Sequence, residues 1–244
     1  DFVEDADDIY LERAGLNPNG ALYKVYSNTL SSNDSGNSGV EKKNRKTENN
    51  QDLTDFIRGI NTGSNSQQWN FIYDNVNLSM CVNMAAANCV IRNTDMHRKN
   101  WYIYRDTGRS DEWALLPWDL DLSHGRKWNG GDTYFDNKLF SNDVIRVGTA
   151  VSLLQKMWSN PEVNQMLMRR IRTLSDQFLN HPDTPYNERY FERRLDEQLA
   201  LIDPPEIDPS DARLDFIKWG SWRQSNGSPV SYTSNHPDIE DMAE

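Results

Sequence analysis

Five polar residues in this sequence carry the atoms that phosphate chemistry needs. Asp95 and Asn100 lie five positions apart in NTDMHRKN, directly before the aromatic stretch WYIY. Asp119 and Asp121 follow a second apolar stretch in PWDLD, and Lys24 lies within ALYKV. Phosphoryl transfer from a nucleotide uses a lysine on the phosphates, an aspartate beside the attacking hydroxyl, and amide and carboxylate oxygens on a divalent cation. The order and the loop spacing of these residues fit that chemistry.

The D-x-x-x-x-N spacing has low specificity in a chain that is rich in Asp and Asn, so other roles stay open. Asp95 could cap a helix or a turn, and Lys24 could be a solvated residue of an edge strand. Asp95 and Asp119 could also form the acid pair of a glycoside hydrolase, although the sequence does not fix their separation. The DLDLSHG segment is similar to the start of a calcium loop, but its glycine comes one position late, and Gly130 occupies the place of the bidentate glutamate.

The secondary structure that must position these residues can be predicted from residue patterns. Alternation of apolar and polar residues predicts a strand at 21–27, and two further strands are predicted at 101–104 and 112–116 around the turn DTGRSD. Apolar periodicity predicts helices at 5–15, 52–61, 75–92, 143–159, 161–180, 186–202 and 212–222. Segment 28–50 is rich in Ser, Asn and Gly and is predicted to be a mobile loop or a linker, and 126–142 an irregular loop. The order of elements predicts an α+β fold.

Charge and apolar content narrow the classes of partner. The chain has 244 residues and a net charge of −11 at pH 7, which argues against a nucleic-acid partner and against nonspecific binding to anionic membranes. No apolar run approaches the length of a membrane span, and the beginning of the sequence lacks the pattern of a signal peptide. Cys81 and Cys89 lie about 12 Å apart if their segment is helical, so we expect two core cysteines rather than a disulfide.

Several segments, taken in order, resemble the spore-coat CotH kinase family. They are GALYKV, EKKNRKTENNQDLTDFIRGIN, NTDMHRKNWYIY and WALLPWDLDLSHG, and the later DFIKWGSW fits the helical C-terminal part of the family. The similarity extends over residues 5–225, and the PWDLD block and the D-x-H-x-x-N-W/Y-x-x-Y block are its most specific parts. The chain departs from common protein kinases in having Asn93-Thr94 before Asp95, in having His97 at the place of a lysine, and in lacking DFG and G-x-G-x-x-G.

The resemblance implies an atypical protein-kinase-like fold, with a small mixed N-terminal lobe and a larger, mainly helical C-terminal lobe. We place the remainder of the small nucleotide-binding lobe at 1–72, with a flexible loop at 28–50. The large lobe, at 73–244, then carries the catalytic loop and the metal-binding hairpin. Because the sequence begins within the small lobe, we expect that some strands covering the nucleotide are missing or lie outside this sequence.

Family site residues are carried over by position. Asp95 would be the catalytic aspartate, and Lys24 would contact the nucleotide phosphates. Arg98 would assist on the phosphates, with Lys99 and Arg126 as weaker candidates for the same role or for orienting the substrate. An acidic partner for Lys24 is not evident from the sequence, and three residues are candidates: Glu12, Glu41 and Glu48.

The cofactors implied by the resemblance are ATP and Mg²⁺ or Mn²⁺. Asn100 and Asp119 would hold the cation, with Asp121 as an assistant or alternative ligand.

The implied activity is transfer of the γ-phosphoryl of ATP to a hydroxyl, that of serine, in a protein substrate. The family association also implies a bacterial protein that is secreted or at the cell surface and that acts on a secreted, coat or surface protein. The alternative is a noncatalytic structural or surface-assembly module with a kinase-like fold.

Overall fold

The computed structural model describes residues 5–93, 95–120, 123 and 148–219, which form a mixed α+β arrangement. The four strands of this part are β1 (Ala21–Val25), β2 (Val40–Lys42), β3 (Trp101–Arg105) and β4 (Trp113–Pro117). Its helices are α1 (Asp8–Arg13), α2 (Gln51–Asn61), α3 (Asn65–Asn75), α4 (Leu78–Val90), α5 (Ser152–Ser159), α6 (Pro161–Phe178), α7 (Tyr190–Ile202) and α8 (Asp211–Trp219), with a 3₁₀ turn at Tyr186–Glu188.

The strands form one antiparallel sheet in the order β2-β1-β3-β4. Lys24 therefore lies on an interior strand, where its Cα pairs with Glu41 of β2 and with Tyr102 of β3. In the β3–β4 hairpin Trp101 pairs with Pro117. The beginning of β3 and the end of β4 are thus brought to the same end of the sheet.

One face of the sheet forms the larger apolar core. Alternate residues of the strands, such as Tyr23, Ile103 and Leu115, are buried there together with the apolar residues of α2, α4, α5 and α6. In α2 four apolar residues at helical spacing are buried: Leu53, Phe56, Ile57 and Ile60. The Phe56 ring stacks on Trp113 with a centroid distance of 4.8 Å. Each large side chain buried in this way contributes about 1.5–3 kcal/mol, so this core holds the sheet rigid.

The opposite face of the sheet carries a smaller cluster. Leu22, Tyr102 and Leu116 are buried there beneath Leu11 of α1. Lys24 alternates with Tyr23 and Val25 and therefore extends from this second face, beside the partly buried Trp118. A charged side chain is thus placed at the margin of an aromatic cluster.

Two elements lie where no regular structure was predicted. β2 lies within the segment predicted to be a loop, and α3 occupies residues to which no element was assigned. Ser64 and Gln67 form a capping box at the beginning of α3, and only Trp69 and Ile72 of this helix are buried. A helix that is fixed at its N-terminus and buries two side chains leaves little apolar periodicity in the sequence.

Smaller differences concern helix beginnings. The helix predicted at 52–61 begins at Gln51, with Asn50 at the cap position, and the Asp52 carboxylate accepts a hydrogen bond from the Tyr23 hydroxyl at 2.6 Å. The helix predicted at 143–159 begins at Ser152, after a turn at 148–150. Residues 143–147 of the predicted helix lie outside the described part. Within the described residues neither Cys81 nor Cys89 takes part in a disulfide, as predicted, and Cys81 is buried.

The four-stranded sheet joins strands from both sides of the predicted lobe boundary at 72/73. The division of the chain into two lobes stays a prediction. Among the residues described, no helix has both the length and the apolar character that crossing a membrane requires.

Candidate active site

Asp95 and Asn100, which their spacing assigns to one candidate site, are in direct contact. Nδ2 of Asn100 donates to the Asp95 carboxylate and, at 3.3 Å, to the backbone oxygen of the same residue. Asn100 is 6% exposed and has a φ of 68°, a left-handed conformation that asparagine tolerates better than most residues. The turn folds the loop back on itself, so that one amide group fixes the orientation of the carboxylate.

Three consecutive hydrogen bonds connect α4 to the loop that carries Asp95. Asn88 donates to the backbone oxygen of Met84 at 2.9 Å, and its own Oδ1 accepts from Nδ2 of Asn93 at 2.7 Å. Oδ1 of Asn93 then accepts from the backbone N–H of Asp95 at 3.1 Å. Asn88 and Asn93 are nearly inaccessible to solvent. In the sequence Asn93 is only a departure from the kinase pattern, and nothing there signals that it positions Asp95.

The middle of the loop is held by its backbone, while its side chains are free to reach solvent. The indole N–H of Trp101 donates to the His97 oxygen at 3.2 Å, and the backbone N–H of Asn28 donates to the Arg98 oxygen at 3.0 Å. The side chains of His97, Arg98 and Lys99 are exposed, and Nζ of Lys99 is 3.9 Å from the Asp95 carboxylate. A positive charge beside the carboxylate is suited to a site that binds phosphate.

Asp119 lies at the same end of the sheet as this loop. It follows Pro117 by two positions, and Pro117 pairs with Trp101, the residue directly after Asn100. Asp119 is exposed and has a φ of 58°, so the strand turns sharply there. Asp121 and Arg126, the other site candidates of this region, lie outside the described residues.

Lys24 extends toward the same margin of the sheet. Its Nζ lies 4.3 Å from the ring centroid of Trp118, 5.4 Å from that of Tyr26 and 5.9 Å from that of Tyr102. These distances are within the range of cation–π attraction. The ammonium group of Lys24 therefore contacts the ring of Trp118, and Trp118 directly precedes Asp119, the residue proposed to hold a cation.

Within the described part of the chain, none of the three acidic candidates forms an ion pair with Lys24. Glu41 accepts a hydrogen bond from the Tyr26 hydroxyl at 2.7 Å, and this bond lowers the pKa of Glu41. Glu48 is paired with Arg45, and Glu12 is exposed on α1. Burial raises the pKa of Tyr102, so the ring that faces Lys24 stays neutral through the physiological range.

The oxygen atoms of Asn100 and Asp119 fit a magnesium-type cation, which prefers carboxylate and amide oxygens. Nδ2 of Asn100 is engaged by Asp95, which leaves its Oδ1 for a ligand role. No group of three or more His, Cys, Asp or Glu side chains with metal-binding proximity occurs in the part of the chain described. This donor set suits Mg²⁺ bound through one or two carboxylates, phosphate oxygens and water rather than a cage made by the protein alone.

Comparison with known proteins gives one match over nearly the whole chain. The family model described as CotH kinase protein matches residues 2–236, which include every candidate side chain discussed above. This confirms the resemblance that the sequence segments indicated. None of the curated proteins compared with the chain matches it.

Proposed function

The chain belongs to the CotH kinase family, and from this premise we propose that it transfers the γ-phosphoryl of ATP to a serine hydroxyl of a secreted, coat or surface protein. A kinase family implies a nucleotide and a divalent cation in general. The proposed fold is kinase-like, with a small nucleotide lobe followed by a larger helical lobe. The protein is proposed to work outside the cell or at its surface.

The observation that carries this proposal is the Asp95–Asn100 pair, beside the end of β4 that leads to Asp119. A general base must be held within hydrogen-bond reach of the hydroxyl whose proton it accepts. The carboxylate of Asp95 is fixed by Asn100, and its side chain is only 12% exposed, so it has a defined orientation with limited access. These are the properties that positioning and proton acceptance require.

The proposed roles of the other residues follow from their charge and place. Lys24 and Arg98 would contact phosphate oxygens, while Asn100 and Asp119, assisted by Asp121, would hold Mg²⁺ or Mn²⁺. When bound, the cation would neutralise negative charge on the phosphates. Lys99, near Asp95, would add positive charge at the same margin.

In the proposed reaction the acceptor oxygen forms a bond to the γ-phosphorus. The bond from that phosphorus to the oxygen bridging the β and γ positions breaks, and ADP leaves with the electron pair. The hydroxyl proton passes to the carboxylate of Asp95. Asn100 keeps the carboxylate oriented during this step, since its amide is already bonded to that group.

The test uses the purified protein, γ-labelled ATP and Mg²⁺. Phosphate incorporation into the protein itself and into serine-containing acceptor proteins would be measured for the wild type, for Asp95→Asn and for Asp183→Asn. We expect Asp95→Asn to lower the rate by about 10²–10⁴-fold, which is the usual contribution of a general base. Asp183 is a matched control, because its carboxylate is 92% exposed on a C-terminal turn, and its substitution should leave the rate unchanged.

Two results would contradict the proposal. One is phosphate incorporation that persists in Asp95→Asn at the rate of the wild type. The other is a folded wild-type protein that shows no metal-dependent binding of ATP by calorimetry, which would favour the noncatalytic assembly module.

A further inference from the structure

We propose that Trp118, together with Tyr26 and Tyr102, positions the Lys24 ammonium for the nucleotide phosphates, in the place that a carboxylate would otherwise take. The inference rests on the proposed function, in which Lys24 contacts those phosphates. It adds three aromatic positioning residues to the site, to none of which the resemblance assigned a role.

The arrangement of the rings carries the proposal. Nζ of Lys24 lies closest to the Trp118 ring, at 4.3 Å, and within 6 Å of both tyrosine rings. The Tyr102 and Trp118 rings are themselves in an edge-to-face contact, with centroids 5.2 Å apart and planes at 85°. Edge-to-face contact fixes two aromatic rings relative to each other. The lysine therefore extends across a preformed surface rather than into solvent.

The carboxylate that lies beside Lys24 in the sheet, that of Glu41, already interacts with other side chains. The Cα of Glu41 pairs with that of Lys24, but the Glu41 carboxylate accepts from the Tyr26 hydroxyl at 2.7 Å and lies 3.5 Å from Nζ of Lys43. The same Tyr26 thus holds Glu41 through its hydroxyl and meets the lysine with its ring. Within the residues described, Lys24 has aromatic neighbours and no acidic partner.

An aromatic surface has a different consequence for phosphate binding than an ion pair. A carboxylate takes up one or more of the three N–H donors of a lysine and cancels its charge, whereas ring faces attract the cation without accepting conventional hydrogen bonds. Lys24 would therefore keep its donors and its charge for an anionic ligand. Because Trp118 directly precedes Asp119, the same ring would set the distance between the ammonium and the proposed cation ligand.

The first measurement needs no nucleotide. In the full-length protein with ¹³C-labelled lysine, the ε-methylene signal of Lys24, assigned through Lys24→Met, should be shifted upfield by the ring current of Trp118. Trp118→Leu should return the signal to the position of solvated lysines, and Trp118→Phe should retain part of the shift. An unshifted wild-type signal would overturn the inference.

The second measurement separates positioning from folding. With Mg²⁺ and ATP, Trp118→Leu should raise KM for ATP by about tenfold, the order of one cation–π contact, with a smaller change in kcat. Trp118→Phe should restore most of the affinity. An unchanged KM in a Trp118→Leu protein that has lost the lysine shift would overturn the positioning role.

The two measurements also distinguish a failure of the aromatic positioning of Lys24 from a failure of the proposed function on which it rests. A protein that shows the lysine shift but does not bind Mg²⁺ with ATP would overturn the proposed function, and the phosphate role of Lys24 with it. A protein that binds ATP normally while Lys24 gives an unshifted signal would overturn the aromatic positioning alone.

Discussion

At the scale of single residues, the site depends on backbone conformations that few side chains adopt. Asn100 and Asp119 have φ values of 68° and 58°, in the left-handed region. Asn and Asp enter this region more readily than other residues with a side chain. The same residue types also supply the oxygen atoms proposed for the cation. One choice of residue therefore serves both the turn and the chemistry.

The spacing of Asp95 and Asn100 was sufficient to assign the two residues to one loop and one candidate site, but the hydrogen bond between their side chains comes from the structure. The spacing was also not sufficient to predict the bond from Asn93 to the Asp95 backbone or the rings around Lys24. Both contacts depend on elements distant in sequence, namely the end of α4 and the register of β1, β3 and the residues after β4. A sequence pattern gives residue type and spacing along the chain, but not the register between strands.

Asn93→Ala is expected to weaken both the fold and the proposed reaction. Removing the side chain leaves Oδ1 of Asn88 and the N–H of Asp95 without their partners, at a cost of about 1–3 kcal/mol in the free energy of unfolding. Because the loop that carries Asp95 loses its support, kcat should fall more than the affinity for ATP. Urea denaturation and initial rates would measure the two effects.

Asn75→Ala serves as the control for Asn93→Ala. It removes a bond of the same kind, from a side-chain amide to the Phe71 backbone oxygen at 2.9 Å on α3, and should leave kcat as in the wild type. Equal kcat values in Asn93→Ala and the wild type would show that Asn93 has no positioning role.

At the scale of elements, the three strands with the clearest apolar and aromatic character were predictable from the sequence, whereas the short β2 was not. ALYKV, WYIYR and WALLP are β1, β3 and β4, and each matches a predicted strand closely. β2 has three residues and lies in a polar segment, so its strand character comes from pairing with β1 and not from its composition. The short β2 nevertheless brings Glu41 beside Lys24, and with it the hydrogen bond to Tyr26.

The turn between β1 and β2 is expected to depend on Gly39. This residue has a φ of 57°, and a Cβ placed there would lie 2.2 Å from the Ser27 backbone oxygen. Gly39→Ala therefore combines a left-handed alanine with a clash against rigid backbone, and should lower the free energy of unfolding by about 2–4 kcal/mol. The midpoint of chemical denaturation measures this loss.

Gly15→Ala separates the cost of a left-handed alanine from the cost of a clash with the backbone. Gly15 has a φ of 73°, but a Cβ there meets no atom within 4 Å, so only the conformational cost of about 1 kcal/mol remains. If both substitutions destabilise the chain equally, the contact with Ser27 contributes nothing and the description of this turn is wrong.

At the scale of the whole molecule, the α+β class followed from the order of predicted elements, while the sheet topology did not. The sequence placed strands on both sides of the predicted lobe boundary at 72/73, but only the structure shows β1 paired with β3 in one sheet. Pairing between distant strands leaves no local signal in composition or periodicity. Family membership, in contrast, was recognisable from the segments around the site.

Because Cys81 lies in the larger apolar core, we expect its thiol to react with a reagent in solution only when the molecule opens. Cys81 is fully buried in α4, and burial raises the pKa of its thiol to about 12. At pH 8 the folded protein holds almost no Cys81 thiolate, and the thiolate is the reactive species. In a Cys89→Ser variant, whose only thiol is Cys81, an aromatic disulfide reagent should react at the rate of global opening.

Denaturant supplies the positive control for this thiol, since unfolding should make Cys81 react within seconds. Rapid reaction in native buffer would mean that α4 separates from the sheet far more often than its burial indicates.

The pairing of β1 with β3 also constrains how the chain acquires its shape. The helices α2, α3 and α4 lie between these strands in sequence. During synthesis β1 leaves the ribosome well before its central partner exists, and closing that long intervening segment is entropically slow. The edge of β1 that pairs with β3 stays exposed until the residues that follow Asn100 emerge, because the short β2 pairs with the opposite edge. The pairing of β1 with β3 is therefore also the step that brings Lys24 beside the loop of Asp95 and Asn100, so the proposed site is assembled only when these distant strands meet.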